Sequence, residues 1–312
     1  MLARAFIGAV ALATSTGCAP TIQKAPPPER ARALLWEEPR GRDDLFFGVG
    51  GKALAPDPDT TYALLERDPS GFSTTLDLRD PEGREWGAKL GPESQTEVVA
   101  SRILWAVGYQ QPPAYYVPHL VVEEEGRVRN AGPARMRPEV EWLDDEDPWS
   151  WSENPFVGTQ SFRGLRVLMA ILNSTDLKDD NNEIFVSTRG EGPPVHWYVV
   201  KDLGATFGDT GRFSPARGDI EAFERHGFIA DVRGREVAFE FGGRHGWIFE
   251  GLTLEDVAWI CRRLQRLSDE QLSAAFRAGG YEAEVVSRYV ARLREKTQEG
   301  LAAGASASAQ RP

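Results

Sequence analysis

The stretch NSTDLKDDNNEIFVSTRGEGPPVHWYVVKDLGATFG, residues 173–208, determines how the rest of the chain is interpreted. It contains two acidic motifs, Asp176 in DLKDDNN and Asp202 in DLG. Between them lie two runs rich in apolar residues, 183–187 and 197–200, which predict two short strands. We call residues 174–181 the acidic loop and residues 202–208 the DLG segment. The two motifs therefore flank a predicted strand pair.

Asp176 and Asn181 are five residues apart, and this spacing is typical of one family. The acidic loop resembles the D-L-K-x-x-N catalytic loop of protein kinases, and Asp202-Leu203-Gly204 resembles their D-F-G. The chain resembles atypical kinases of the HipA and lipid-kinase-like kind, which implies an α+β, two-lobed protein-kinase-like fold. Such a fold has a small antiparallel-sheet N-lobe and a mainly helical C-lobe. The chain also resembles bacterial lipoproteins with a DLGATFG element, which implies no substrate.

The resemblance implies a role for each polar residue of the two motifs. Asp176 would accept a proton from the attacking hydroxyl, and Lys178 would steady the transferred group. Asp202 and Asn181 would bind Mg²⁺ or Mn²⁺, which prefer oxygen ligands, with Asn182 as a second amide candidate. The partners would be ATP or another nucleotide and a protein or small-molecule acceptor.

The residues upstream predict a sheet that would cover a nucleotide. Alternation and turn signals indicate a three-strand meander with strands at 62–66, 76–79 and 84–90. The loop between the first two strands contains Gly71, Ser73 and Thr74, which would offer backbone and hydroxyl donors to a phosphate. On the third strand stands Lys89, in the place of the phosphate-gripping lysine of kinases. The earlier GVGG at 48–51 is interpreted as a turn, because no strand-to-helix step surrounds it.

A helix is predicted over residues 93–107, ended by Gly108. Glu97 on this helix would pair with Lys89 and hold it toward the phosphates, and Glu93 is the rival partner. The next strands would lead to a hinge near Glu125-Gly126, where backbone groups would meet an adenine ring.

The second half of the chain predicts mainly helices. Residues 162–172 form a buried helix that leads into the acidic loop, and residues 253–266 and 268–296 are helical. Residues 126–160 are predicted to be irregular, with a solvated DDEDP loop and with Trp149 and Trp151 packing across the lobes. Four residues of the Gly-rich region after the DLG segment would meet an anionic substrate: Arg212, Arg217, Arg244 and His245.

The N-terminus predicts export. Residues 1–18 read as a lipoprotein signal peptide in which Ser15-Thr16-Gly17-Cys18 resembles a lipobox, so Cys18 would carry the lipid. The domain prediction continues with a flexible tether at 19–42, an N-lobe at 43–126, a C-lobe at 127–298 and a disordered tail at 299–312. We therefore expect an exported bacterial lipoprotein, anchored at the periplasmic face of the envelope, with the outer membrane favoured.

Composition excludes some classes of function and leaves others open. The 312 residues carry a net charge of −11, which argues against a general nucleic-acid binder, and two cysteines do not make a disulfide framework. Three alternatives remain. An exported kinase-like binding module without catalysis suits a compartment where ATP is scarce. The second alternative is that DLKDDNNE is a calcium loop, but it lacks the turn glycine of such loops. The third is a metal-dependent hydrolase, which would need histidines near the motifs.

Overall fold

The structure is a computed structural model that describes residues 21–24, 32–71, 73–210 and 216–309. The signal segment with Cys18, and also Arg212, lie outside these residues, so the predictions made for them are not addressed by it. The described residues form a mixed α+β protein. Within them, no helix combines the length and the apolar character that crossing a bilayer requires.

The strands, numbered in chain order, are β1 (Gln23–Lys24), β2 (Arg32–Leu34), β3 (Thr61–Asp68), β4 (Thr75–Arg79), β5 (Glu85–Leu90), β6 (Tyr115–Val117), β7 (Val121–Glu124), β8 (Arg127–Asn130), β9 (Ala134–Pro138), β10 (Leu143–Asp145), β11 (Glu153–Asn154), β12 (Asn182–Ser187), β13 (Val195–Val200), β14 (Ile229–Arg233) and β15 (Glu236–Phe239). The α-helices are α1 (Glu93–Ala106), α2 (Gln160–Ile171), α3 (Ile220–Arg225), α4 (Leu254–Arg266), α5 (Asp269–Ala278) and α6 (Ala283–Ala309). Short 3₁₀ helices lie at Lys52–Leu54, Asp179–Asn181 and Gly246–Phe249.

The large sheet has seven strands in the order β6-β9-β5-β4-β3-β7-β8. The predicted meander is confirmed, since β3, β4 and β5 pair antiparallel in sequence. The sheet is not wholly antiparallel as predicted, because β3 pairs with β7 in parallel. One face of the sheet buries a compact apolar cluster that includes Leu76, Leu78 and Trp86.

The large sheet continues past the predicted boundary at residue 126. Glu125 and Gly126, with φ of 51° and 76°, form the tight turn between β7 and β8 at the edge of the sheet. The last strand is β9, which pairs with β5 in the middle of the sheet. The chain therefore leaves the sheet after Pro138, and the predicted hinge at Glu125-Gly126 is wrong. Residues 139–142 make the connection instead.

The small sheet has the order β10-β12-β13-β2 and contains the predicted strand pair as β12 and β13. These strands are antiparallel, with Asn182 opposite Val200. The residues before β12 and those after β13 therefore leave the sheet at the same end. This topology brings the acidic loop next to the DLG segment.

The helices share one large apolar cluster with α1, which packs its predicted stripe of Val99, Ile103 and Leu104 into it. Trp149 and Trp151 are buried in the same cluster, where Trp149 donates from Nε1 to the carbonyl of Val199 at 2.9 Å. Helix α1 thus ties the large sheet to the helical part of the chain. It begins three residues after β5, so Lys89 and the first turn of α1 are close neighbours.

The C-terminal helical region differs from its prediction in two ways. The predicted helix at 268–296 is interrupted after α5 by Gly279 and Gly280, the latter with φ of 77°. Helix α6 then continues through the predicted disordered tail to Ala309. The alanines of this tail favour helix, and its glycines allow close packing: a Cβ at Gly300 would stand 2.5 Å from Cys261 Sγ on α4. Gly300 and Gly304 therefore belong to a face that packs against α4.

Candidate active site

The acidic loop is held in shape by Asn181. Its side-chain Nδ2 donates to the carbonyl of Asp176 at 2.6 Å, closing the loop on itself. Its own carbonyl accepts from the backbone N–H groups of Lys201 at 2.8 Å and Asp202 at 3.0 Å. One residue therefore couples the loop that carries Asp176 to the segment that carries Asp202. Lys178 lies beside the loop, with Nζ 3.1 Å from the carboxylate of Asp176.

The DLG segment packs against the first turn of α1. Thr96 Oγ1 on the helix donates to the carbonyl of Gly204 at 2.7 Å. A Cβ at Gly204 would come within 2.7 Å of Glu93 Cβ, so glycine permits this approach. The backbone N–H of Thr175 donates to the carbonyl of Ala205 at 2.9 Å, a second link between the acidic loop and the DLG segment.

Lys89 lies among three carboxylates. Its Nζ atom is 2.7 Å from Asp202 Oδ2, 3.4 Å from Glu93 Oε2 and 3.6 Å from Glu97 Oε2. Burial lowers the pKa of this amine, but attraction to Glu97, Asp202 and Glu93 outweighs burial and leaves the pKa raised. Lys89 is therefore a cation held near the end of β5, an interior strand of the large sheet, with its amine facing Asp202.

Asp202 is the partner that Lys89 contacts most closely. Burial alone raises the pKa of its carboxyl, but the charge and hydrogen bond of Lys89, together with the N–H of Gly204, lower it below the usual value of 3.8. The pKa directions of Asp202 and Lys89 agree, since each favours the ion pair. Both oxygens of Asp202 have a protein partner, because Gly204 N–H donates to Oδ1 at 3.2 Å.

Glu97 is held more closely by two arginines than by Lys89. Its Oε1 atom lies 2.8 Å from Arg135 Nε and 2.9 Å from Arg137 Nη2, and its side chain is 1% exposed. Both arginines belong to β9, where Arg135 is registered with Lys89 and Arg137 with Gly87. Sequence reasoning missed them. The alternation in ARMRP is a strand signal that marks both as facing one side, but it does not reveal that β9 lies beside β5.

A cavity of about 470 Å³, which we call the main cavity, collects these groups. Its lining includes Lys89, Glu93, Glu97, Asp176, Lys178, Asn181 and Asp202 from the predicted set, together with Arg135, Arg137, Asp180, Lys201 and Arg217. The cavity is also lined by Gly71 and Ser73 from the loop between β3 and β4 and by Thr75, the first residue of β4. Thr74, which was predicted to offer a donor, does not line it, whereas its neighbour Thr75 does.

Asn182 does not face the main cavity. It is fully buried at the start of β12, and its Nδ2 donates to the carbonyl of Trp149 at 3.1 Å. Asn181, by contrast, ends the 3₁₀ helix Asp179–Asn181 and lines the main cavity. The prediction that Asn182 is an alternative metal ligand is therefore wrong, because its side chain is buried against Trp149.

The donor set suits a cation that arrives with a nucleotide. Among the described residues, no group of three or more histidine, cysteine, aspartate and glutamate side chains is arranged to hold a metal ion alone. Magnesium bound with a nucleotide needs only one or two protein carboxylates or amides, because phosphates and waters complete its octahedron. Asp202 and Asn181 supply oxygen atoms of this kind to one cavity. The residues present therefore fit Mg²⁺ or Mn²⁺ together with phosphate.

A second cavity, of about 630 Å³, adjoins the main cavity through Arg135, Arg137 and Lys201, which line both. Its other walls include Gly87 of β5, Pro112, Pro113 and Phe185, and the connecting residues Glu139, Val140 and Glu141. The connection after β9 therefore lines this cavity, whereas Glu125 and Gly126 do not. The two cavities lie side by side between the large sheet and the small sheet, and we call them together the cleft.

Of the residues predicted to meet an anionic substrate, Arg217 enters the main cavity and ion-pairs with Glu93 Oε1. His245 lies near the acidic loop: burial lowers the pKa of its imidazole, and the charge of Asp176 raises it in part. A histidine is therefore close to Asp176 in space, although none is close in sequence. Arg244 does not line either cavity.

Comparisons with known proteins add little to this geometry. No family model and no curated protein sequence matches the chain. Among solved structures, the chain is similar to the Helicobacter pylori proinflammatory kinase CtkA, with a TM-score of 0.46 and 10% identity over 81% of this chain and 99% of that chain. A similarity at this level supports no assignment of function, which has to rest on the site.

Proposed function

We propose that this protein is a nucleotide- and metal-dependent phosphotransferase with a two-lobed, protein-kinase-like arrangement, acting on a hydroxyl group of a protein or small molecule. One observation carries the proposal: Lys89 from β5, Asp176 and Asn181 from the acidic loop, and Asp202 from the DLG segment line one cavity. Phosphoryl transfer depends on charge compensation and alignment more than on covalent chemistry by the protein. An ammonium group, two metal-suited oxygens and a carboxylate base in one cleft meet that need.

Each residue of the main cavity has a proposed role that follows from its position. Lys89 on β5 binds the nucleotide phosphates, and Gly71, Ser73 and Thr75 cover them from the adjoining loop. Asp176 accepts the proton of the attacking hydroxyl, which makes the oxygen a better nucleophile as it meets the phosphorus. Lys178, 3.1 Å from Asp176, lies where it can contact the transferred group.

Asp202 and Asn181 would hold Mg²⁺ or Mn²⁺, which, when bound with the nucleotide, would neutralise charge on its phosphates. The protein's own part is to keep the backbones of these two residues together. The Asn181 carbonyl does so by accepting from the N–H of Asp202 at 3.0 Å.

The second cavity is the place for the nucleotide base in this proposal. It shares Arg135, Arg137 and Lys201 with the main cavity, and it combines the apolar Pro112, Pro113 and Phe185 with the connecting residues 139–141. A base stacked on apolar side chains there would leave its phosphates within reach of Lys89. Arg135 and Arg137, which line both cavities, lie between the proposed positions of the base and the phosphates.

The direct test is label transfer by the purified full-length protein from γ-labelled ATP, with Mg²⁺ or Mn²⁺, to itself and to a panel of hydroxyl acceptors. Asp176→Ala and Asp202→Ala are compared with Asp231→Ala, a control on β14 that lines neither cavity. We expect the wild type and the control to transfer label and the two cavity variants to lose about 100-fold or more. Equal transfer by all four proteins would remove the assignment.

A binding module without catalysis is the second candidate, and one observation favours it. Both oxygens of Asp202 already have protein partners, Lys89 and the N–H of Gly204, so a metal must compete with them. Under this alternative, nucleotide stabilises the protein, no label is transferred, and Asp176→Ala changes nothing. The same set of variants therefore separates the two candidates.

We also propose that the chain is exported and lipidated at Cys18, which places the cleft at the periplasmic face of the envelope. The proposal rests on the apolar run and the lipobox-like Ser15-Thr16-Gly17-Cys18. Incorporation of labelled palmitate, lost in Cys18→Ser, would support it. Recovery of unlabelled wild-type protein from the cytoplasm would contradict it.

A further inference from the structure

Two residues with left-handed backbone stand at the limits of the candidate active site. Asn173, with φ of 52°, precedes the acidic loop, and Phe207, with φ of 56°, lies in the DLG segment. For a bulky residue such as phenylalanine this conformation is strained, and such strain persists only where neighbouring groups fix it. Four residues of the proposed mechanism lie between these two positions in the chain: Asp176, Lys178, Asn181 and Asp202.

Both residues are held by the same helix. From α6, Lys296 Nζ donates to Asn173 Oδ1 at 2.7 Å, and Tyr289 OH donates to the carbonyl of Phe207 at 3.3 Å. Seven residues separate Tyr289 from Lys296, which is about two helical turns, so both side chains project from one face. The Asn173 side chain also donates from Nδ2 to the carbonyl of Gly208 at 2.5 Å. The network therefore joins the helix, the start of the acidic loop and the end of the DLG segment.

Lys296 is a buried amine whose hydrogen bonds are directed at the loop. Its side chain has no exposed surface, and it donates to the carbonyl of Ile171 at 3.2 Å as well as to Asn173. Its Nζ lies 4.4 Å from the centre of the Phe223 ring. Burial, followed by the charge of Arg292, lowers the pKa of the amine well below its ordinary value. Burying an amine is costly unless it is hydrogen-bonded, so these contacts to Ile171 and Asn173 are what stabilise it there.

We propose that Lys296 and Tyr289 are positioning residues, which hold the acidic loop and the DLG segment in register so that Asp176 and Asp202 face the same cavity. They touch no substrate. They act through backbone pairing, since the N–H of Thr175 donates to Ala205 and the N–H of Phe207 donates to Leu172, both at 2.9 Å. The expected effect on catalysis rests on the proposed function, whereas the expected effect on the position of the two segments does not.

The test uses the full chain and two kinds of readout. Lys296→Met keeps the apolar stem and removes the donor, and Tyr289→Phe removes one hydroxyl. The control is Thr297→Val, because Thr297 is equally buried on α6 but bonds within the helix to the carbonyl of Leu293. Hydrogen exchange of the amides of Thr175 and Phe207 is measured without nucleotide, and label transfer from ATP is measured as kcat and KM.

We expect Lys296→Met to speed exchange at both amides by about ten-fold and to lower kcat about ten-fold, with KM for ATP nearly unchanged. Tyr289→Phe should also speed exchange, chiefly at the amide of Phe207. If Lys296→Met fails to fold, the exchange measured in Tyr289→Phe tests the positioning role. Unchanged exchange at both amides in Lys296→Met and Tyr289→Phe would overturn the inference. It would also be overturned if exchange rose equally throughout the chain and did so in the Thr297→Val control as well. A wild type that transfers no label would count against the proposed function, while the exchange data would still decide the positioning role.

Discussion

The Nζ atom of Lys89 on β5 lies 2.7 Å from Oδ2 of Asp202, although 113 residues separate the two in the chain. The contact crosses from the large sheet to the segment that follows the small sheet. It forms because β5 leads directly into α1, against which the DLG segment packs through Gly204. This pair is the structural basis of the proposed cleft, and the first predictions concern it.

Replacing Lys89 by methionine should remove the response to nucleotide. The substitution keeps the stem and deletes the cation that binds the phosphates in the proposed site, leaving the three carboxylates Asp202, Glu93 and Glu97 without it. We expect label transfer to fall by about 100-fold or more. Lys52→Met, at an exposed position on the 3₁₀ helix Lys52–Leu54, is the matched control. Transfer by Lys89→Met at the rate of the control would contradict the role given to Lys89.

The ion pair should also make stability depend on pH in a defined window. The pKa of Asp202 is lowered below 3.8, so its contribution is present above that value and is lost as the pH falls through the folded-state pKa. The pKa of Lys89 is raised above 10.5, so its contribution is present below that value and is lost as the pH rises through the folded-state pKa. The pair therefore stabilises the fold across the range between them.

Asp202→Asn tests this dependence. Because the side chain of Asp202 is 37% exposed, solvent screens the pair, and we expect it to contribute about 1 kcal/mol. The free energy of unfolding of wild type and variant, measured by urea denaturation, should differ near pH 7 and converge below pH 3.8. A difference that stays constant down to pH 2 would show that the carboxylate of Asp202 is not charged in the pair.

Glu97 should be the most costly carboxylate of the cleft to neutralise. Its side chain is 1% exposed and is the shared partner of Arg135 and Arg137. Glu97→Gln leaves two nearly buried guanidinium groups without a charged partner, which costs about 3–5 kcal/mol of unfolding free energy. Glu270→Gln, at a side chain that is 79% exposed, should change stability by less than about 0.5 kcal/mol. Equal losses of unfolding free energy in the two variants, measured by chemical denaturation, would refute the role of Glu97 as the buried partner of the two arginines.

The end of α6 should contribute to stability. Removing residues 299–312 uncovers the surface of α4 around Cys261 and Ala258, against which Gly300 and Gly304 pack. We expect a loss of about 2 kcal/mol or more in the free energy of unfolding, since several apolar contacts disappear at once. Gly300→Ala should also destabilise, because the added methyl meets Cys261 Sγ at 2.5 Å and overpacking outweighs the gain in helix propensity. A chain that lacks only residues 310–312 is the control.

Local sequence signals predicted much of the fold. The β3-β4-β5 meander, α1 and the β12-β13 pair follow from alternation and helical periodicity, and the spacing of Asp176, Asn181 and Asp202 is itself local. The role predicted for Lys89 follows from its place on the third strand of the meander, after the small-residue loop and before a helix. In each case the information lies within about 30 consecutive residues.

What the sequence left undetermined depends on contacts between distant segments. That β9 pairs with β5, bringing Arg135 to Lys89, is a matter of register between strands that are far apart in the chain. Asn181 and Asn182 differ because Asn181 ends a 3₁₀ helix that lines the main cavity, whereas Asn182 begins β12 with its side chain buried against Trp149. The Ala-, Gly- and Ser-rich end of the chain reads as a disordered tail until α4 is known to pack against it. The pairing of β9, the environment of the two asparagines and the helical end of the chain all depend on tertiary packing.

The most direct test of the central claim is the thermal stability of the full-length protein with and without ATP and Mg²⁺. We predict that the wild type gains several degrees in Tm as MgATP rises to about 100 times its Kd, which corresponds to about 2.7 kcal/mol of linkage. Lys89→Met and Asp202→Asn should gain less than one third of that shift, and Lys52→Met should gain all of it. An unchanged Tm in the wild type, or equal gains in all four proteins, would contradict a nucleotide site built on Lys89 and Asp202.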